Sequence, residues 1–201
     1  STFVRYEQYI RLHTIPTIGH LRLRQLTSQC IQQLYADKIS AGLSPTSVRH
    51  LHSVLHRALK HATRWNLVTN NVIESVDPPR RLRYECQPLT LVQVSSLLSA
   101  AKWDRLEALY VLAVTTGLRR GELLGLRWSD VDTEKGNLRV RQTLLRGGSI
   151  GEPKTAKGRR QVELANIAVS ALIRHRENQI NERLIADLNW IDTGLVFTNS
   201  L

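Results

Sequence analysis

The residues with the clearest chemical potential lie between positions 116 and 132, where Arg119 precedes Glu122 by three positions. Gly117 predicts that one helix ends and the next begins in a tight turn. Arg119 is therefore expected in the first turn of the new helix, where free N–H groups and the helix dipole also favour an anion. Glu122 would lie on the same face and hold the guanidinium. A guanidinium at this position could grip two phosphate oxygens; the alternative is a surface ion pair with Glu122.

A second set of residues forms a basic stripe along one predicted helix. Ser44 and Pro45 are typical of a helix start, and the helix is predicted to run to about residue 64. Opposite its apolar residues lie polar side chains at helical spacing with no acid among them: Arg49, Ser53, His56, Arg57, Lys60 and Arg64. Solvated helix faces usually mix both charge signs. The stripe therefore suits a DNA groove or a track of phosphates, with an ordinary solvated face as the alternative.

The charge of the whole chain favours the same kind of partner. The formal net charge is +11 and the isoelectric point is about 10.4. Residues 1–73 hold nine lysines and arginines against two acids, and residues 39–73 hold no acid. A polyanion such as nucleic acid is the expected partner of such a surface. The alternative is a basic soluble protein without such a partner.

Composition bounds the class of protein. A hydrophobic fraction of 42% is enough to build packed cores. No apolar run is long enough to span a bilayer, and the N-terminus does not resemble a signal peptide, so we expect a cytoplasmic protein. Cys30 and Cys86 have no ligand-like spacing. We interpret them as reduced, buried thiols, with neither a disulfide framework nor a metal site.

The pattern of elements predicts a mainly α protein with a small antiparallel β-sheet. Residues 1–77 are expected to form a bundle of four helices, with a loop around Pro16 and a short last helix over 71–76. A basic linker is predicted over 78–88, where two prolines stop the helix. It adds three candidate DNA-binding residues, which are Arg80, Arg81 and Arg83.

The second part, residues 89–201, mixes helices and strands. Thr90 and Gln93 form a capping box before a helix. Further helices are predicted over 105–115, 118–126 and 166–188. Strands are predicted within 137–145 and over 160–164, with a third possible over 149–155.

Two segments resemble the tyrosine recombinases, also called the phage integrase family. Residues 116–130 read T-G-L-R-R-G-E-L-L-G-L-R-W-S-D and meet every fixed position of the family pattern T-G-x-R-x-[SG]-E-x-x-x-L-x-W-x-D. Residues 153–164 are similar to the family hairpin that carries a catalytic lysine, P-K-T-x-x-[SG]-x-R-x-[VI]-x-[LI]. By position that lysine is Lys154, with Lys157 as the competing choice. The stretches 15–19, 42–46, 48–65 and 70–76 resemble the family's SAM-like core-binding domain.

This resemblance implies a mechanism and partners. A tyrosine would attack a DNA phosphate, giving a 3′-phosphotyrosine and a free 5′-hydroxyl, with no metal and no cofactor. Arg119, supported by Glu122, would stabilise the charge on the phosphorane, and Lys154 would protonate the leaving oxygen. The implied partners are double-stranded DNA, often that of a mobile genetic element, and further copies of the chain, as a tetramer in the family.

The chain departs from the family pattern after Lys154. The family also needs a later H-x-x-R pair, a further His or Trp beyond it, and a tyrosine nucleophile, and neither the pair nor a tyrosine follows Lys154 here. We interpret the one literal H-x-x-R, residues 61–64, as part of the basic stripe. Tyr110 is expected in the core and Tyr84 in the linker, so neither is a credible nucleophile.

We therefore expect an incomplete α+β catalytic domain that is inactive alone. The methionine-free sequence suggests that the chain was cut or trimmed. The main alternative is a non-catalytic DNA-binding remnant that occupies and regulates recombination sites. A type IB topoisomerase shares the chemistry, but the helical first part argues against it.

Overall fold

A computed structural model describes residues 2–80, 85–145, 147–152 and 158–198 of the chain. Internal contacts divide the chain into two compact units, Ser1–Cys86 and Gln87–Leu201. The division falls inside the stretch 78–88, which the sequence suggests as a linker. Each unit has its own hydrophobic core.

The first unit begins with one nearly continuous helical segment. Helix α1 (Thr2–Tyr9) passes through a π-helical stretch (Ile10–Thr14) into α2 (Ile15–Ile18). The predicted loop around Pro16 is therefore wrong. Proline normally breaks a helix because its ring clashes with the carbonyl four residues earlier. Here the backbone N–H of Ile15 bonds to the carbonyl of Ile10, and this wider turn gives the ring room.

Two longer helices complete most of this unit. The N-terminus of α3 (Ser28–Ser40) is capped by the hydroxyl of Thr27. Helix α4 (Pro45–Arg64) is capped by Ser44 and has the predicted bounds. The predicted helix over 71–76 is instead a 3-10 helix, Val72–Ser75, because so short a segment makes few helical hydrogen bonds. The largest buried side chains between these elements are Ile31, Leu34, Tyr35, Val48, Leu51 and Ile73.

The helices of the second unit follow the sequence pattern closely. They are α5 (Leu91–Ala100), α6 (Glu107–Thr116), α7 (Arg120–Leu124) and α8 (Asn166–Ala186). The capping box of Thr90 and Gln93 is present. Gly117 ends α6 with a left-handed φ of +61°, a conformation that side chains disfavour.

The strands of the second unit form two small antiparallel sheets. The strands are β1 (Val131–Asp132), β2 (Asn137–Val140), β3 (Thr143–Leu144), β4 (Ile150–Gly151) and β5 (Arg160–Glu163). The first sheet has the order β1-β2-β5, and β3 pairs with β4 in the second. Leu138 lies opposite Val162 and is completely buried against the core formed with α6 and α8. The predicted class, mainly α with a small antiparallel sheet, is confirmed.

The structure corrects the prediction for the two cysteines. Cys30 is half-buried in the first turn of α3 and Cys86 is exposed, so the prediction of buried thiols is wrong, although both are free.

Within the described ranges, no helix combines the length and the apolar character needed to cross a membrane.

Candidate functional site

Arg119 occupies the junction between α6 and α7. Its backbone is extended, with φ −68° and ψ 148°, so it is the N-cap of α7 and not part of the first turn as predicted. The left-handed Gly117 turns the chain sharply enough to leave Arg119 just outside the helix. Its side chain is 78% exposed, so the guanidinium faces solvent.

Glu122 holds Arg119 in two ways, through the guanidinium, as expected, and also through the backbone N–H. One carboxylate oxygen, Oε2, accepts the backbone N–H of Arg119 at 3.0 Å. The other, Oε1, accepts from Arg119 Nη1 at 2.9 Å. Glu122 is buried, with 5% of its surface exposed. An exposed arginine is thus fixed to a buried carboxylate.

Arg160, the first residue of β5, is a second arginine on the same carboxylate. Its Nη2 lies 2.9 Å from Glu122 Oε2, and its Nη1 lies 3.3 Å from Oε1. Its side chain is only 33% exposed. Arg160 was not among the residues predicted for the site, although it fills the fixed arginine of the hairpin pattern. That fixed position was the available signal.

The two arginines determine the charge of Glu122. Burial by itself raises the pKa of a carboxyl group. Here hydrogen bonds from the Arg160 side chain and from the backbone and side chain of Arg119 outweigh burial and lower the pKa of Glu122 to about 2. Glu122 is therefore ionised at neutral pH. The three side chains, Arg119 included, together carry one net positive charge.

Close packing fixes α7 beneath this cluster. A Cβ at Gly125 would lie 2.9 Å from the backbone N of Leu144 in β3. The side-chain amide of Gln142 also donates to the Gly125 carbonyl at 2.7 Å. Only glycine lets β3 approach α7 so closely, so the helix that follows Arg119 is held against the second sheet.

The end of the 116–130 segment is fastened to α8 and to the last described residues. The indole N–H of Trp128 donates to the side-chain oxygen of Gln179 at 2.6 Å. The Val196 N–H bonds to the Leu126 carbonyl at 2.8 Å. Tyr110 does not lie in this core as predicted. It is 38% exposed, because α6 turns that face outward while Val111 and Leu112 point inward.

The two lysines predicted for the site, Lys154 and Lys157, lie outside the described residues. The described chain resumes at residue 158, and β5 begins two residues later with Arg160. The role of Lys154 therefore stays a prediction.

In the first unit, α4 presents the predicted basic stripe opposite its buried face. Ser53, Arg57, Lys60 and Arg64 are exposed, whereas Arg49 and His56 are half-buried. The exposed members lie near the middle and the C-terminal end of the helix.

Arg49 differs from the other cations of the stripe. Its Nη1 donates to the carbonyl of Pro79 at 3.0 Å and so holds the stretch after the 3-10 helix against α4. Arg80 follows directly and is exposed, while Arg81 and Arg83 lie outside the described residues. The half-buried His52, on the same side of α4, has its Nδ1 3.1 Å from the Tyr35 hydroxyl.

The second unit thus combines helices with a small antiparallel sheet and presents an exposed arginine on a buried glutamate. Residues 87–190 match the sequence profile of the phage integrase family. The chain belongs to that family, and the matched region begins where the second unit begins.

Relatives and solved structures agree with this assignment. The chain is 34% identical to an integrase of Streptomyces ambofaciens, over 94% of the chain and 50% of the relative. It is 29% identical to a XerC-like tyrosine recombinase of Caldanaerobacter subterraneus subsp. tengcongensis, over 100% of the chain and 57% of the relative. The Tn1549 transposon integrase, solved with transposon right end DNA, has the same fold, with a TM-score of 0.82 and 24% identity over 98% of this chain and 65% of that chain. The chain therefore spans about half the length of the curated relatives that it matches.

Proposed function

We propose that the chain binds duplex DNA and supplies part of the strand-transfer site of a tyrosine site-specific recombinase. The observation that carries this proposal is the cluster of Arg119, Glu122 and Arg160, in which a buried carboxylate fixes an exposed guanidinium. Family membership supports the same reaction class.

In this proposal Arg119 binds the scissile phosphate. A guanidinium fixed in advance loses little conformational entropy on binding, and it stabilises negative charge as the phosphorane develops. Lys154 protonates the leaving 5′ oxygen, as the family hairpin implies. The attacking tyrosine is not assigned to any residue of this chain.

The first unit supplies most of the affinity for DNA through α4 and the basic stretch near its C-terminal end. Its exposed cations have no acidic residue among them. Each phosphate contact releases counterions, so binding should weaken as salt rises. As the resemblance implies, the partners are duplex DNA and further copies of the chain, and the protein acts in the cytoplasm on the DNA of a mobile element or its host.

The test is equilibrium binding of a fluorescent DNA duplex at several salt concentrations. We expect the logarithm of the binding constant to fall linearly with the logarithm of the salt concentration, with a slope of roughly 0.9 per phosphate contact. Arg57→Glu combined with Lys60→Glu should weaken binding and flatten the slope. Arg176→Glu combined with Arg183→Glu, two exposed positions of α8, is the matched control and should have a smaller effect. No binding at low salt, or no dependence on salt, would refute the proposal.

A second candidate is a non-catalytic protein that occupies recombination sites. Residues 1–201 include no tyrosine after Tyr110 and no H-x-x-R pair after Lys154, so this candidate draws only on the DNA-binding features of the chain. Both candidates share DNA binding, and they differ in covalent chemistry. A nicked suicide duplex, followed by denaturing electrophoresis, separates them, because only a catalytic chain leaves a protein–DNA adduct. An adduct at Tyr84 or Tyr110 would favour catalysis by the chain alone.

A further inference from the structure

The contacts around Glu122 are divided unequally between two arginines. Arg160 approaches with two nitrogens, one to each carboxylate oxygen. The Arg119 side chain makes only one contact, from Nη1 to Oε1. Among the described residues, Nε and Nη2 of Arg119 have no hydrogen-bond partner, so they remain available.

This division matters because a carboxylate and a phosphate compete for the same guanidinium. Both present paired oxygens that match the planar fork of arginine. A buried carboxylate without another partner would draw Arg119 into a two-pronged ion pair of its own. Arg119 would then be turned toward the carboxylate and would have fewer N–H groups left for a phosphate.

We propose that Arg160 is a positioning residue that saturates Glu122 and thereby keeps the fork of Arg119 free for the scissile phosphate. That the anion bound by Arg119 is the scissile phosphate rests on the proposed function. Arg160 itself need not touch DNA, because its side chain is two-thirds buried and both of its terminal nitrogens are used on Glu122. The same pair fastens the start of β5, whose first residue is Arg160.

Removal of Arg160 should have an effect that depends on Glu122. In Arg160→Met, Glu122 keeps its charge but loses its two-pronged partner, so Arg119 should turn onto the carboxylate. In Arg160→Met combined with Glu122→Gln, no carboxylate remains to capture Arg119, so binding of an anion should recover. A purely structural role for Arg160 predicts no such recovery.

The experiment uses the whole chain with inorganic phosphate as the probe, and the Nε–H signal of Arg119 in ¹⁵N NMR as the readout. We expect Arg160→Met to weaken the phosphate response by about tenfold or more, the size of one charged hydrogen bond. The double variant should return to within about threefold of Glu122→Gln, the usual tolerance of additivity. Arg160→Lys, which keeps the charge but only one prong, should lie between the wild type and Arg160→Met. If Arg160→Met does not fold, Arg160→Lys tests the same prediction in its place.

Arg120→Met is the control for charge alone. It removes one positive charge beside Arg119 from an exposed residue and leaves Glu122 untouched. Wild-type phosphate binding by Arg160→Met, equal weakening by Arg120→Met, or no recovery in the double variant would each overturn the inference. If the chain bound no DNA while these results held, the proposed function would fail and the role of Arg160 toward Arg119 would stand.

Discussion

Arg49 and Pro79 are joined by a hydrogen bond of 3.0 Å, from a guanidinium nitrogen on α4 to a backbone carbonyl 30 residues later. The arginine lies in the basic stripe by sequence, yet part of its hydrogen-bonding capacity serves the fold. It holds the chain beside α4 just before the basic stretch at residue 80 begins. Stability and DNA affinity should therefore respond differently to changes at different positions of the stripe.

Arg49→Met should destabilise the first unit, whereas Lys60→Met should not. Methionine keeps the apolar stem but cannot donate to Pro79, and the loss of a hydrogen bond from a charged group typically costs roughly 1.5 to 3 kcal/mol. Lys60 is exposed, and changes at such positions usually stay within about 0.5 kcal/mol. Urea unfolding followed by amide NMR signals of α3 and α4 measures both. Equal stability of the two variants would contradict a structural role for Arg49.

The second unit should lose stability in acid through Glu122. Its pKa is about 2 in the folded chain and 4.5 ordinarily, so the unfolded chain takes up the proton first as the pH falls. This contribution, roughly 3 kcal/mol, should be complete above about pH 5 and fade as the pH approaches the folded-state pKa. Urea unfolding across that range, followed by amide signals of β2 and β5, measures it.

Glu122→Gln is the control for this pH dependence. The amide does not titrate, so the variant should be less stable at neutral pH and should lack this part of the acid-induced loss. If the two proteins lost stability in parallel below pH 5, Glu122 would not be the group responsible.

Local signals predicted much of the fold. The caps at Ser44 and Thr90 and the glycine at 117 act within a few residues, so a sequence is enough to locate the helix ends beside them. The wrong prediction at Pro16 came from relying on local signals alone. By those signals proline predicts a helix break, whereas the wider helical turn before Pro16 depends on how α1, α2 and α3 pack together.

The candidate site was predictable only where its members lie close in sequence. Arg119 and Glu122 are three residues apart, and their pairing follows from helix geometry. Arg160 is 38 residues from Glu122 and reaches it only because β5 follows the sheet back toward α7. Spacing rules cannot give such a contact. The exposure of Tyr110 was also not predictable from spacing, since residues 108–114 of α6 are all apolar or aromatic and do not indicate which side faces solvent.

Leu138→Ala should destabilise the second unit strongly. Leu138 is completely buried where β2 meets α6 and α8. Removing a buried leucine side chain leaves a cavity and typically costs about 2 to 5 kcal/mol. Leu188→Ala is the matched control, because Leu188 is 95% exposed and should change stability little. Thermal unfolding of both variants provides the comparison, and a Leu138→Ala protein as stable as the control would place Leu138 outside the core.

Arg119→Lys should reduce DNA cleavage although it preserves charge. The cleavage measurement requires a catalytically active form of the protein that contains the attacking tyrosine. A lysine makes a single-point contact, so the two-pronged grip on the phosphate is lost. Removing one preorganised donor to a developing oxyanion typically slows the reaction by about a hundred- to a thousandfold. DNA affinity should persist, since many backbone contacts lie elsewhere.

Arg120→Lys is the internal control for that experiment. Arg120 begins α7 and is exposed, and no hydrogen bond joins its side chain to Glu122 among the described residues. A lysine there should cost little, because neither the carboxylate nor the phosphate depends on a planar fork at that position. Single-turnover cleavage rates on one duplex compare the two variants directly. If Arg120→Lys abolished cleavage and Arg119→Lys left it intact, the phosphate-binding role would belong to Arg120, and the Glu122 cluster would be a structural ion pair only.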